Sequence, residues 1–151
     1  MIRPEPNPSV SYGVKDLVGT WTLVSVVTER DGTKSETYGP NAKGLLLFDA
    51  NGRYSIIFVA ADLPKFASGN RSKGTADESK AVVAGSLAHF GTYVVDEVDK
   101  SFTFQVERAT FPNWEGKNLK RSFVITDDEL RFTDPHASAG GVAATTFERA
   151  K

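Results

Sequence analysis

The sequence predicts an all-β protein: a closed, up-and-down antiparallel β-barrel of about 8–10 strands with one helical insert near residues 75–88. Three observations carry that reading. Segments that alternate apolar and polar residues recur from Thr20 to Arg149, most of them separated by turn residues. One stretch alone has the signature of a helix. No repeat, low-complexity tract or interdomain linker breaks the series, and closing such a sheet on itself removes its unpaired edges.

Residues 1–13 are rich in Pro, Ser and Gly and read as a flexible leader; residues 14–151 read as a single barrel domain. From Thr20 to Glu29, Thr22, Val24, Val26 and Thr28 alternate with Trp21, Leu23, Ser25 and Val27, as in a long strand. Asp31-Gly32 is a hairpin signal, and Lys34 to Tyr38 returns as a short strand. Gly44 to Asp49 is a strand whose Leu45-Leu46-Leu47-Phe48 run lacks alternation, which predicts cover on both faces, inside by the core and outside by a helix. Arg53 to Ala60 alternates again. Thr75-Ala76-Asp77-Glu78 fits a capping box, and Val83 and Leu87, four apart, give the helix behind it an apolar stripe. That helix is expected to plug or shield one end of the barrel. Strands then follow at His89–Asp96, Ser101–Thr110, Leu119–Thr126, Glu129–Thr133 and Val142–Arg149. Two longer loops, Phe111 to Gly116 and Asp134 to Gly141, lie between them.

The totals exclude several classes. With 25% charged residues and a formal net charge of −1, nothing favours nucleic acid or an anionic membrane as partner. Cysteine is absent, which removes disulfides, thiolate catalysis and Cys-bound metals. No run approaches the roughly 20 apolar residues of a membrane span. The N-terminus has three prolines and no apolar stretch, so no signal peptide is read there and a cytoplasmic protein is expected. Glycine-rich phosphate loops, nucleophile elbows and zinc-protease motifs do not occur. Two histidines far apart make no metal site, so neither metal nor cofactor is expected.

Several segments, in order, resemble the bacterial and fungal lipocalin-like domain family, a calycin-type barrel. They are Leu17-Val18-Gly19-Thr20-Trp21, Tyr38-Gly39-Pro40, Gly44 to Phe48, Asn51 to Ser55, Phe90-Gly91-Thr92-Tyr93, Phe111-Pro112-Asn113-Trp114 and Phe147-Glu148-Arg149. The resemblance implies a barrel that holds one small ligand, and no shared catalytic motif. It also implies that Trp21 closes the narrow end with Arg149 stacked on it, a cation–π contact of about 0.5–2 kcal/mol. Similar sequences carry a histidine in the strand before the Phe-Pro-Asn-Trp loop. Here that strand reads Phe102 to Glu107 without one.

The expected activity is therefore binding of a small, largely apolar molecule in the barrel cavity, fixed by a few polar anchors. The alternative is a cofactor-free isomerase, cyclase or dehydratase that uses His89, Tyr93 and Glu107 as acid and base in the same cavity. A third reading is an interaction module that uses the outer wall or the Trp114 loop. His89 and Tyr93 are four apart on one face of a strand, so each is a candidate ligand contact. Tyr54, Phe58 and Phe123 are candidate apolar walls. Phe111, Asn113 and Trp114 stand in a loop at the barrel mouth, where Trp114 is placed either to cap the cavity or to pack on a partner subunit in a homodimer. The polar file of the strand from Ser101 faces solvent in an ordinary arrangement. In the reverse orientation Gln105 and Glu107 project inward, and Glu107 then needs a partner such as Arg121 or Arg53.

Overall fold

Alternation along each strand sends one file of side chains to the lumen and the other to solvent. In a computed structural model, which describes residues 14–151, nine such strands form one antiparallel sheet. The leader expected over residues 1–13 lies outside the described residues. The strands are β1 (Gly19–Arg30), β2 (Thr33–Glu36), β3 (Lys43–Phe48), β4 (Arg53–Val59), β5 (Ser86–Asp96), β6 (Ser101–Ala109), β7 (Asn118–Ile125), β8 (Glu129–Asp134) and β9 (Val142–Arg149). Consecutive strands from β3 to β9 pair in order, and β9 pairs back onto β1, closing an eight-strand barrel. The lower half of β1 pairs with β3, while its upper half carries β2 as a hairpin flap. The closed antiparallel barrel predicted from sequence is the fold observed.

The two ends differ. The base has tight turns and a helix not anticipated from sequence, α1 (Val14–Leu17). Leu17 is fully buried, and its carbonyl accepts the Trp21 indole N–H at 2.8 Å. Arg149 stacks on the Trp21 ring at 4.2 Å and donates to the carbonyls of Asp16 (2.8 Å) and Asp127 (2.9 Å). One guanidinium thus ties the last strand to α1 and to the β7–β8 turn. The mouth carries the long connections: the β2–β3 loop, the β4–β5 crossover with α2 (Ala76–Gly85), the β6–β7 loop with a 3-10 turn at Pro112–Trp114, and the β8–β9 loop.

Three expectations are corrected. The Leu45-to-Phe48 run is not covered on both faces: Leu46 and Phe48 are buried, whereas Leu45 and Leu47 are 39% and 40% exposed. The outward file is apolar without a helix above it. The capping box forms as predicted, with Thr75 and Glu78 exchanging side-chain and backbone bonds. However, α2 ends at Gly85, Val83 is 78% exposed, and Leu87 belongs to β5, so no apolar stripe exists and no α2 residue lines the lumen. Finally, β1 does not keep one parity. A bulge between Leu23 and Ser25 shifts the phase, so Trp21 points in at the base while Val26 and Thr28 point in at the mouth. No helix among the described residues is long and apolar enough to cross a membrane.

Candidate functional site

Aromatic rings fill the lower lumen. Phe48, Phe102 and Phe104 meet at centroid distances of 5.0–6.1 Å, and Phe132 stacks on Phe147 at 5.9 Å. With Trp21, Leu46 and Leu130 they leave the base solid. Above Phe104 and Phe132 the packing stops, and a cavity of about 50 Å³ remains. Val26, Ile56, Phe58 and Leu87 supply apolar wall, and Ala137 to Ala139 of the β8–β9 loop lie over it.

The charged groups of this cavity and its histidine gather on one side. Arg121 of β7 and Asp134 of β8 form an ion pair at 3.2 Å, with side chains only 6% and 11% exposed. Asp134 also accepts the His136 backbone N–H at 2.9 Å, which fixes the start of the overlying loop. The Tyr54 hydroxyl and His89 Nδ1 are 2.8 Å apart in a buried hydrogen bond. Trp114 stands between the two sets, its ring 5.5 Å from the His89 ring and 5.8 Å from the Arg121 guanidinium carbon. Burial, and secondarily the charge of Arg121, pushes the His89 imidazole down to about 3, so it is neutral at physiological pH. Burial likewise raises the Tyr54 hydroxyl well above the usual phenol range. Tyr38, stacked on Phe58 at 5.3 Å, is pushed up to about 12 by burial and by the Asp134 carboxylate. Across the cavity the Thr28 and Thr37 hydroxyls bond each other.

The structure brings some candidate residues together and separates others. Phe58, His89, Trp114 and Arg121 line the cavity, and Tyr54 reaches it through His89. Phe111 packs on Trp114 at 5.5 Å and supports it from behind. Asn113 is exposed in the 3-10 turn. Phe123 stacks on Phe102 in the filled lower lumen. Tyr93 shares the inward file of His89, but four residues along a strand is about 13 Å. Its hydroxyl donates to the Asp49 carbonyl at 2.7 Å, at the base. Gln105 and Glu107 face outward, because Phe102, Phe104 and Val106 take the inward file. Gln105 bonds Thr92 at 2.6 Å, and Glu107 pairs with Arg53 at 3.1 Å on the surface. The inward orientation of Gln105 and Glu107 is thereby corrected, and Glu107 stands apart from His89.

Asp134 and Tyr38 were missed by sequence reasoning. Asp134 carried a signal: it shares strand parity with Leu130 and Phe132, so an inward carboxylate could be read from that file. Tyr38 is expected at the end of the second strand, but β2 stops at Glu36 and Tyr38 lies in the β2–β3 connection, where strand periodicity does not place it. Among the described residues no group of three His, Asp or Glu stands ready to hold a metal.

A family model described as a lipocalin-like domain matches residues 18–150. No curated protein matches. Solved structures that match include a biogenic amine-binding protein, 13% identical over 93% of this chain and 67% of that one, with a TM-score of 0.47. A variant of the fluorescent protein UnaG is 17% identical over 92% and 99% of the two chains, with a TM-score of 0.41. The amine binding protein of Rhodnius prolixus, in its tryptamine complex, is 11% identical over 97% and 70%, with a TM-score of 0.39.

Proposed function

Because the chain belongs to the lipocalin-like domain family, we propose that it binds a small, largely apolar molecule in the upper half of its barrel. One observation carries this reading: the core is packed solid up to Phe104 and Phe132, then stops beneath the mouth loops, leaving a space walled largely by apolar side chains with a charged pair on one side. A protein that needed only a stable barrel would fill that space, since an unfilled core volume costs stability. The cavity of about 50 Å³ is smaller than the roughly 150 Å³ that admits benzene in an engineered core. The ligand therefore displaces part of the mouth as it binds. The β8–β9 loop is the segment to yield: its residues are small, and an Arg30 bond to the Ala139 carbonyl (2.6 Å) straps it down.

The alternative, acid–base chemistry on a small metabolite, finds less support. His89 at about 3 is a poor base near neutral pH, and burial raises Tyr54 out of reach as an acid. Glu107 lies on the outer surface and Tyr93 at the base. These facts favour holding a molecule over transforming it. We also read the protein as cytoplasmic, a reading supported by a chain without cysteine, which gains nothing from an oxidising compartment.

Native mass spectrometry of protein purified from its own host tests the binding reading. We expect a retained small molecule, lost when Val26→Phe fills the cavity in a variant whose far-ultraviolet circular dichroism is unchanged. Equal retention by both proteins would place the ligand elsewhere and reject the proposal.

A further inference from the structure

Resting on that binding reading, we propose that the cavity selects a ligand whose polar group is an uncharged hydrogen-bond acceptor of the carbonyl class, taken by His89 Nε2–H and the spare N–H groups of Arg121. Charge balance is the first argument. Arg121 and Asp134 neutralise each other at 3.2 Å, with both side chains nearly buried. A ligand carboxylate would compete with Asp134 and leave one buried negative charge in excess. A ligand ammonium would leave one positive charge in excess beside Arg121. Either surplus is costly in a low-dielectric interior, whereas a neutral group leaves the balance intact.

The donor count is the second argument. A guanidinium has five N–H donors. Arg121 directs Nη2 at Asp134 and Nη1 at the Lys120 carbonyl, 3.2 Å away, which leaves donors over. Asp134 already accepts from His136 and faces Arg121. In the Tyr54–His89 pair, the hydroxyl donates to Nδ1 and so fixes the proton on Nε2. The opposite tautomer would leave the Tyr54 hydroxyl hydrogen to point into apolar surroundings, where the Phe104 ring lies 4.2 Å from the tyrosine ring. Among the described residues no fully buried side-chain nitrogen or oxygen lacks a partner. The unpartnered His89 Nε2 and Arg121 Nε are therefore not sealed from the open space, and both residues line the cavity with Trp114 between them. Donors in surplus on one wall, with apolar side chains and a mutually bonded Thr28–Thr37 pair elsewhere, describe a carbonyl on a hydrocarbon frame.

Two nuclear magnetic resonance measurements on the full chain decide this. Long-range proton–nitrogen correlation should show His89 protonated on Nε2; protonation on Nδ1 would overturn the proposal. Titration with cyclopentanone, cyclopentane, cyclopentylamine and cyclopentanecarboxylate should shift the Trp114 indole resonance, with the Trp21 indole at the barrel base as an unmoved internal control. We expect cyclopentanone to bind at least about tenfold tighter than the other three, and His89→Phe to reduce it to the level of cyclopentane. Cyclopentane binding without preference for the ketone, or tightest binding of the acid or amine, would overturn the selectivity while leaving the binding reading in place. No shift at Trp114 with any probe would overturn both.

Discussion

His89 stores a proton-linked contribution to stability. Its folded value of about 3 lies below the ordinary 6.5, so between those limits the unfolded chain binds a proton that the folded barrel excludes. Stability is therefore full above about pH 6.5 and falls as the solution is acidified toward 3, by up to about 1.4 kcal/mol per pH unit from this group. The charged group nearest it, Arg121, keeps its charge throughout that window and opposes a second positive charge at its side. We expect urea midpoints to decline from pH 7 to pH 4.5, and the decline to be shallower in His89→Phe. Parallel slopes would assign the acid sensitivity elsewhere. The same residue shows what could be read from sequence and what could not. That His89 and Tyr93 share one face follows from their spacing of four, but the sequence does not say which face points inward, and the partner Tyr54 lies 35 positions away in the chain. Only the β4–β5 register, which sets Ile56 opposite His89 and Tyr54 opposite Gly91, brings the two rings together.

Strand alternation made the elements legible wherever it held phase. The β4, β7 and β9 segments sort their side chains as the sequence pattern implies, which is why the barrel could be foreseen. Bulges are where such reading fails. The one in β1 adds a residue between Leu23 and Ser25, and nothing in that run of Leu, Val and Ser announces it. A second lies in β6, where Glu107 is the extra residue opposite Phe90 and Gly91 of β5. There the backbones come so close that a Cβ on Gly91 would collide with the carbonyl oxygen of Gln105. That contact is backbone on both sides, so it cannot be relieved by rotating a side chain. Gly91→Ala is expected to destabilise the barrel by about 2 kcal/mol or more, comparable to other overpacking substitutions. The thermal midpoint measures it; a loss below about 0.5 kcal/mol would show that the two strands separate easily. The exposed leucines of β3 mark another limit of pattern reading. A run of four apolar residues predicts cover on both faces, but only Leu46 and Phe48 are buried, because cover of the outward pair depends on neighbours the sequence does not specify.

Closure is the property that belongs to the molecule as a whole. Trp21 and Arg149 are register partners in the β1–β9 pairing, and the Arg149 guanidinium then reaches on to α1. Removing residues 142–151 takes away β9 and leaves β1 and β8 as open edges. We expect the truncated chain to lose its near-ultraviolet circular dichroism and its cooperative thermal transition altogether; a sharp transition at a lowered temperature would show that seven strands can close without the eighth.

The seam also sets a schedule for the newborn chain. At typical elongation rates of about 5–20 residues per second, Trp21 waits on the order of ten seconds before Arg149 is made. Until that wait ends, β1 has no β9 to close against, and the Trp21 indole has no Arg149 guanidinium to cover it. Closure of the barrel thus waits for β9, and the interval before it is when open sheet edges have the most need of holding chaperones.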